Sequence, residues 1–425
     1  MSHGGGSTGF GWREGWRYGL MGLPLAFVAL PLYVLLPNHY ARSFGVPLAS
    51  LGLLLLGARL FDALIDPLLG RWSDRLFERS WRAVLGAAAF AAVMLGLGFV
   101  LLFFPPVRSL DALLVWAGAS LVLTYAAFSA LSIMHQSWGA MLGGDELQRG
   151  RVVAWREGLG LVGVILASIA PVALGLPATT AIFFVAIAGG WLAWTRARRP
   201  LRRTAQAVGA GQSGSLWLPW SRAPFRALLA VFMVNGIASA VPATLLLFFV
   251  QDRLQAPPAA EPIFLAAYFC SAAASMPLWV RLVGRVGLAR AWGWGMVLSM
   301  SVFIVAASLG VGDTPAFVVV CALSGIGLGA DLAVPGALLA GSMASNGDQG
   351  AHEGAYFGWW NFATKLNLAL AAGLALPALG VLGYVPGSRD DAALATLTAA
   401  YCLMPCALKL LAATLLYTLI IRRTP

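Results

Sequence analysis

An all-α integral membrane protein, with 12 transmembrane helices in two pseudo-symmetric six-helix halves, is the fold class that three observations predict. The 425 residues are 60% hydrophobic and only 11% charged, against roughly 25% charged residues in soluble proteins. Twelve apolar runs reach the length of about 20 residues that a helix needs to cross a bilayer. Landmarks in the first half of the chain also recur 210 or 211 residues later.

Taken in order, the runs lie near 18–38, 48–70, 83–104, 112–138, 152–175, 178–196, 225–250, 262–283, 290–311, 314–343, 354–383 and 393–421. The first follows MSHGGGSTGFGWREGWRYG, which is polar, Gly-rich and without a small-residue cleavage site after a short apolar core. It is therefore expected to stay in the protein as a span. The second carries Arg59, Asp62 and Asp66. The fourth closes on a polar turn, and the fifth opens on Arg156 and Glu157. The longest polar connection, 196–221, holds Arg196, Arg198, Arg199, Arg202 and Arg203 and then a Gly/Ser stretch. The expected organisation is a first bundle over 1–196, a basic linker over 197–224 and a second bundle over 225–425.

The basic residues set the orientation. With the N-terminus inside, 21 of the 28 Lys and Arg fall in inner segments, 4 in outer loops and 3 (Arg59, Lys365, Lys409) within spans. This is the positive-inside pattern, and it puts both termini in the cytoplasm of a cell whose inner membrane holds the chain. The net charge of +11 thus reports topology. No basic run is interleaved with aromatics as a nucleic-acid groove requires, so no nucleic-acid partner is expected.

The halves repeat. Pro31 and Pro242 occupy like places in spans one and seven, 211 residues apart, and Pro67-x3-Arg71-x3-Arg75 returns as Pro277-x3-Arg281-x3-Arg285, 210 residues on. One duplication of a six-span unit explains both. The charged stripe is not repeated: the positions 210 residues beyond Arg59, Asp62 and Asp66 are Phe269, Ala272 and Met276. Chemistry is concentrated in the first half.

Spacings of three and four place Arg59, Asp62 and Asp66 on one helix face. Each charge at a helix centre costs roughly 2.5–3.5 kcal/mol on insertion scales. Two carboxylates one turn apart also repel, so each favours a cation, a proton or a basic partner. A structural Arg–Asp clamp between helices is the alternative. Beyond them, Gly70, Asp74 and Arg75 suit a latch, since glycine permits close helix approach and a carboxylate with arginines can lock neighbouring helix ends. Arg79 and Arg82 read as ordinary inner-surface charges.

Ser129, Ser132, His135, Gln136 and Trp138 form the polar turn of span four. His135 is either protonatable or a hydrogen-bonded structural histidine, and Trp138 either stacks on a substrate or anchors the interface. Arg156 either reaches a cavity or marks a helix start. In span ten, Gly325, Gly327 and Gly329 precede Asp331 with no strand before them, which excludes a dinucleotide loop. Asp331 is a relay or a partner for another buried polar group. In span eleven, Lys365 lies about ten residues into an apolar helix with Asn361 one turn before it. Placed opposite the acidic stripe, Lys365 would balance it until a bound cation displaced it. Cys270, Cys321, Cys402 and Cys406 lie in apolar runs without metal-ligand spacing, as packing residues do. No cofactor, no metal site and no nucleophile–base spacing is visible, and an enzyme is not expected.

The stretches ARLFDALIDPLLGRWSDR, VNGIASAVPATLLLFFVQD and EGAYFGWWNFATKL followed by GLALPALGVLGY resemble the glycoside–pentoside–hexuronide:cation symporter family of the major facilitator superfamily. The resemblance implies the major facilitator fold, with Asp62 and Asp66 as cation-site carboxylates, Lys365 as the functional lysine of helix eleven, and Trp138 and Arg156 in the cavity. There are departures. The family's two sugar-gripping acids fall at Ala26 and Met134, the amide between the helix-two acids is Ile65, and the acids that often end helix ten are missing from LLAGSMASNGD. The expected activity is symport of a small organic solute, not a simple glycoside, with Na⁺ or H⁺ by a monomer in the lipid bilayer. A proton-coupled exporter, a carrier of lysolipids or other amphipathic solutes, and a non-transporting scaffold or sensor are the alternatives.

Overall fold

The computed structural model describes residues 10–200, 215–385 and 387–423. Arg202 and Arg203 of the basic linker lie outside the described residues. The chain forms two compact units, Met1–Leu216 with Met343–Gly358, and Trp217–Ser342 with Trp359–Pro425. These units divide at 216/217, inside the expected linker, and the short segment 343–358 falls in the first unit.

The first unit begins with α1 (Trp12–Gly19), α2 (Gly22–Leu30) and α3 (Leu36–Phe44), with a π-turn over Pro31–Leu35 between the last two. Proline lacks the N–H for an i→i−4 bond, and a wider π-turn absorbs the missing donor. Helix α4 (Leu48–Arg79) is about 48 Å long at 1.5 Å per residue. That exceeds the bilayer's ~30 Å hydrocarbon core, so its arginine-bearing end projects beyond the apolar stretch. Ser80 then separates α4 from α5 (Trp81–Phe103) and caps α5 by accepting the Ala83 N–H at 3.0 Å. Helix α6 (Leu110–Ala140) follows, then α7 (Glu146–Pro171) and α8 (Ala173–Thr195), which break near Gly175 at φ 78°. Helices α2 and α7 cross closely: a Cβ on Gly163 would stand 2.2 Å from the Leu23 carbonyl oxygen. Small residues make such approaches possible where lipid offers no hydrophobic driving force.

The second unit contains α9 (Ala223–Phe248), α10 (Glu261–Val286), α11 (Leu288–Ala306), α12 (Thr314–Ser345), α13 (Glu353–Val381), α14 (Asp391–Thr398) and α15 (Met404–Leu419). The end of α12 and the first turn of α13 belong to the first unit. The core of the second unit is partly aromatic, with Phe249 and Tyr401 stacked at 4.2 Å and Phe317 against both.

Among the described residues, nine helices are long and apolar enough to cross a membrane by length and composition. The other three expected spans are the broken first run, the charge-bearing α4, and α13 with Lys365. The all-helical, twelve-span fold stands.

Candidate functional site

In the first unit, α4 buries two of the three charges of its stripe. Asp62 is 2% exposed and Asp66 fully buried, whereas Arg59 is exposed. Asp62 faces α6, whose Ser129 hydroxyl donates to Asp62 Oδ1 at 2.8 Å. One turn earlier on α6, Tyr125 lies within electrostatic reach of Arg59 and Asp62. Pro67 directly follows Asp66 inside the helix. A proline has no N–H to give to the carbonyl four residues before it, here Ala63, which sits between the two acids. Two buried carboxylates, a hydroxyl and a backbone carbonyl without its usual helical donor form an oxygen-rich patch. Oxygen donors of this kind suit a hard cation or a proton.

At the far end of α4, Asp74 is 5% exposed and caps α13. Its Oδ1 accepts the Gly354 N–H at 2.6 Å and its Oδ2 the Ala355 N–H at 2.9 Å. An anion at a helix N-terminus meets both orphan donors and the positive end of the macrodipole. Gly70 allows the approach, since a Cβ there would stand 2.1 Å from the Gly354 carbonyl oxygen. Arg75 is exposed and Arg71 half-buried. Glu353, at the first position of α13, is fully buried and accepts the Gly350 N–H at 2.6 Å. Both acids lie beyond the apolar runs 48–70 and 354–383. Burial pushes the Glu353 carboxyl up to about 7. Burial and then the Glu353 charge hold Asp74 well above the usual carboxylate range, against the pull of its two N–H donors.

The polar turn of α6 packs inward. His135 is fully buried, its Nε2 lies 2.9 Å from the Tyr18 carbonyl, and the Tyr18 hydroxyl donates to the His135 carbonyl at 3.0 Å. The His135 ring stacks on Tyr18 at 4.4 Å and meets Trp194 edge-on at 5.0 Å. Trp138 donates to the Arg198 carbonyl at 3.0 Å and also packs on Trp194. Arg156 pairs with its neighbour Glu157 at 2.5 Å. These three residues are thus engaged with α1, α7, α8 and the chain just beyond α8. Ala26 and Met134, the positions where the sequence lacks sugar-gripping acids, are half-buried and fully buried, respectively.

In the second unit, Lys365 and Asn361 are half-buried on α13. Asp331 is not brought to either of them. Its partner is Lys409 of α15, whose Nζ lies 3.0 Å from Asp331 Oδ2, 3.0 Å from Asn235 Oδ1 and 3.0 Å from Ser239 Oγ. Asn235 and Trp292 each donate to Asp331 Oδ1 at 2.9 Å. Reading by apolar runs places Lys409 within a span and does not single it out. A signal exists all the same: the chain has two lysines, and both fall in apolar runs.

The family described as MFS/sugar transport protein matches residues 17–423. The chain is 28% identical over 130 residues to the inner membrane symporter YicJ of Escherichia coli (strain K12), a match covering 31% of this chain and 28% of that protein. It is 27% identical over 153 residues to the putative glycoside/cation symporter YagG of the same organism, covering 36% of this chain and 33% of that one. The matched stretches thus span about a third or less of these relatives. In fold, the chain is similar to a bacterial homologue of the iron transporter ferroportin in its outward-facing state with soaked iron (TM-score 0.68, 15% identity, 95% of this chain and 98% of that one). It is similar also to the major facilitator superfamily transporter FucP in its outward conformation (TM-score 0.63, 15% identity, 94% and 97%).

Proposed function

The chain belongs to the MFS/sugar transport protein family, and on that premise we propose that it is a cation-coupled symporter of a small organic solute other than a simple glycoside. A member of this family is a multi-pass membrane transporter working by alternating access, not an enzyme. The observation that carries the finer reading is the pair of buried carboxylates one turn apart on α4, with Ser129 donating to Asp62. Burying two adjacent acids in a membrane helix is costly unless a cation or proton relieves the repulsion. Asp62 and Asp66 bind Na⁺ or H⁺ in this account, with Arg59 and Lys365 as the fixed counter-charges when the site is empty. The names of the partial matches, an inner membrane symporter and a putative glycoside/cation symporter, favour cation-coupled symport.

Ala26 and Met134 argue against a sugar ligand, because neither offers an acceptor to a hydroxyl and Met134 is fully buried. A less polar, amphipathic solute suits such a site better, and a lysolipid falls within that class. The Asp74 cap on α13 serves as the conformational latch: access on that side requires its two N–H bonds to break. The charge distribution supports an inner-membrane location with both termini cytoplasmic. Uphill uptake into vesicles driven by a sodium or proton gradient is the direct test. Proton-driven export would favour the exporter reading, and no transport at all the scaffold reading.

A further inference from the structure

We propose that the second unit contains a binding site of its own for an uncharged, ring-sized amphipathic molecule bearing a hydroxyl group, of the phenol or cyclic-alcohol type. A cavity of about 150 Å³ opens between α9, α10, α11, α12 and the α15 region. Apolar cavities of this volume hold a benzene-sized molecule. Its apolar walls include Phe264, Phe269, Phe303 and Leu328, and its polar end is formed by Asp331, Lys409 and Ser239. Leu265, also on the wall, is 42% exposed, so the wall on that side is apolar and reaches the surface.

The hydrogen bonds at the polar end decide the ligand's chemistry. Lys409 has three donors and spends them on Asp331, Asn235 and Ser239. Asp331 takes two bonds on Oδ1, from Asn235 and Trp292, and two on Oδ2, from Lys409 and Ser239. The pair is neutral as a whole and its bonding capacity is filled. A charged ligand would have to split it, and a separated buried charge is strongly destabilising. What remains for a ligand is hydroxyl chemistry. Ser299 and Ser324 line the cavity and donate to the backbone carbonyls of Gly295 and Cys321, so their oxygens keep only acceptor capacity for a ligand. Tyr268 and Tyr401 also line the cavity, and their hydroxyls take no part in the ion-pair network. The other titratable groups near the pair are Cys406, beside Lys409, and Tyr268, within electrostatic reach of Asp331. Acceptors from serine with donors from tyrosine select a group that both donates and accepts, which is a hydroxyl. This site lies wholly within one unit, and it stands or falls independently of the cation site on α4.

The test uses the purified full-length protein and three probes of like size: phenol, toluene and benzoate. Saturation-transfer NMR and thermal shift read binding. Phenol should bind the wild type about tenfold more tightly than toluene, the worth of roughly one buried hydrogen bond, and benzoate should not bind. Combined Ser299→Ala and Ser324→Ala should remove most of the phenol advantage and leave toluene unchanged. Leu328→Trp should fill the cavity and abolish both. Equal affinity for phenol and toluene, binding of benzoate, or phenol binding that survives both sets of variants would overturn the proposal. So would the absence of any binding to the wild type.

Discussion

Replacing Glu353 by Gln should remove a pH-dependent weakness from the latch. Burial raises the Glu353 carboxyl from 4.5 to about 7, and each tenfold change in proton affinity corresponds to ~1.4 kcal/mol. A carboxyl whose folded pKa exceeds its unfolded one contributes stability that is fully present below the unfolded value. That stability is lost as pH rises through the folded value. The window is therefore pH 4.5 to 7, and the span is on the order of 3 kcal/mol. The charge that appears at high pH sits beside Asp74 and Asp348, both acidic, so ionisation also loosens the cap on Gly354 and Ala355. Glutamine stays neutral and keeps a carbonyl oxygen for the Gly350 N–H. Proteins gain about 2.1 cal/mol/K of unfolding entropy per residue, or about 0.9 kcal/mol/K for this chain, so the span is worth about 3 °C. Melts of wild type and Glu353→Gln between about pH 5 and 8 should diverge by this much, with the variant more stable at the upper end. Parallel curves would mean that Glu353 does not ionise at a cost to the fold in this range.

Four further outcomes follow from other sites. Asp62→Asn and Asp66→Asn should abolish gradient-driven accumulation while leaving the fold intact or slightly more heat-stable, because a costly buried charge is removed; vesicle uptake and melts check this. Lys365→Ala should instead make cation binding more pH-dependent, since a carboxylate without its counter-charge takes up a proton; binding titrations at several pH values show it. Lys409→Met should destabilise by about 3–5 kcal/mol by leaving Asp331 unpaired, and Asp331→Leu combined with Lys409→Met should recover most of the loss, as read by denaturation in a double-mutant cycle. Gly354→Ala should disrupt the latch, since its Cβ would stand 2.1 Å from the Gly70 carbonyl oxygen; faster cysteine labelling near α13 would report it.

Helical spacing is enough to place Arg59, Asp62 and Asp66 on one face of α4, and to set Gly70 and Asp74 where a neighbouring helix end can meet them. It does not say which neighbour a face meets. Ser129 as the donor to Asp62 and Lys409 as the partner of Asp331 depend on how α4 lies on α6 and α12 on α15, and no local pattern encodes that. The polar turn of α6 shows the same limit from the other side. Ser129 reaches the acidic pair, while His135 and Trp138, six and nine residues on, are taken up by Tyr18, Trp194 and Arg198. The first span's break at Pro31 is marked by the proline itself. The π-turn after α9, at Phe249–Arg253, has no proline at its start and is not legible from sequence.

The proposed function rests on a cation site at Asp62 and Asp66. Thermal melts of the purified protein across sodium concentrations and pH, beside an Asp62→Asn, Asp66→Asn double variant, read ion binding there without a transport assay. A ligand bound only by the folded state stabilises by about 2.7 kcal/mol at one hundred times its Kd. The wild type should therefore gain melting temperature with rising Na⁺, or respond to pH if the ion is a proton, and the double variant should do neither beyond the Glu353 effect. A wild type indifferent to Na⁺ and to pH beyond the Glu353 effect, or a double variant that responds as the wild type does, would mean that the two carboxylates hold no coupling ion.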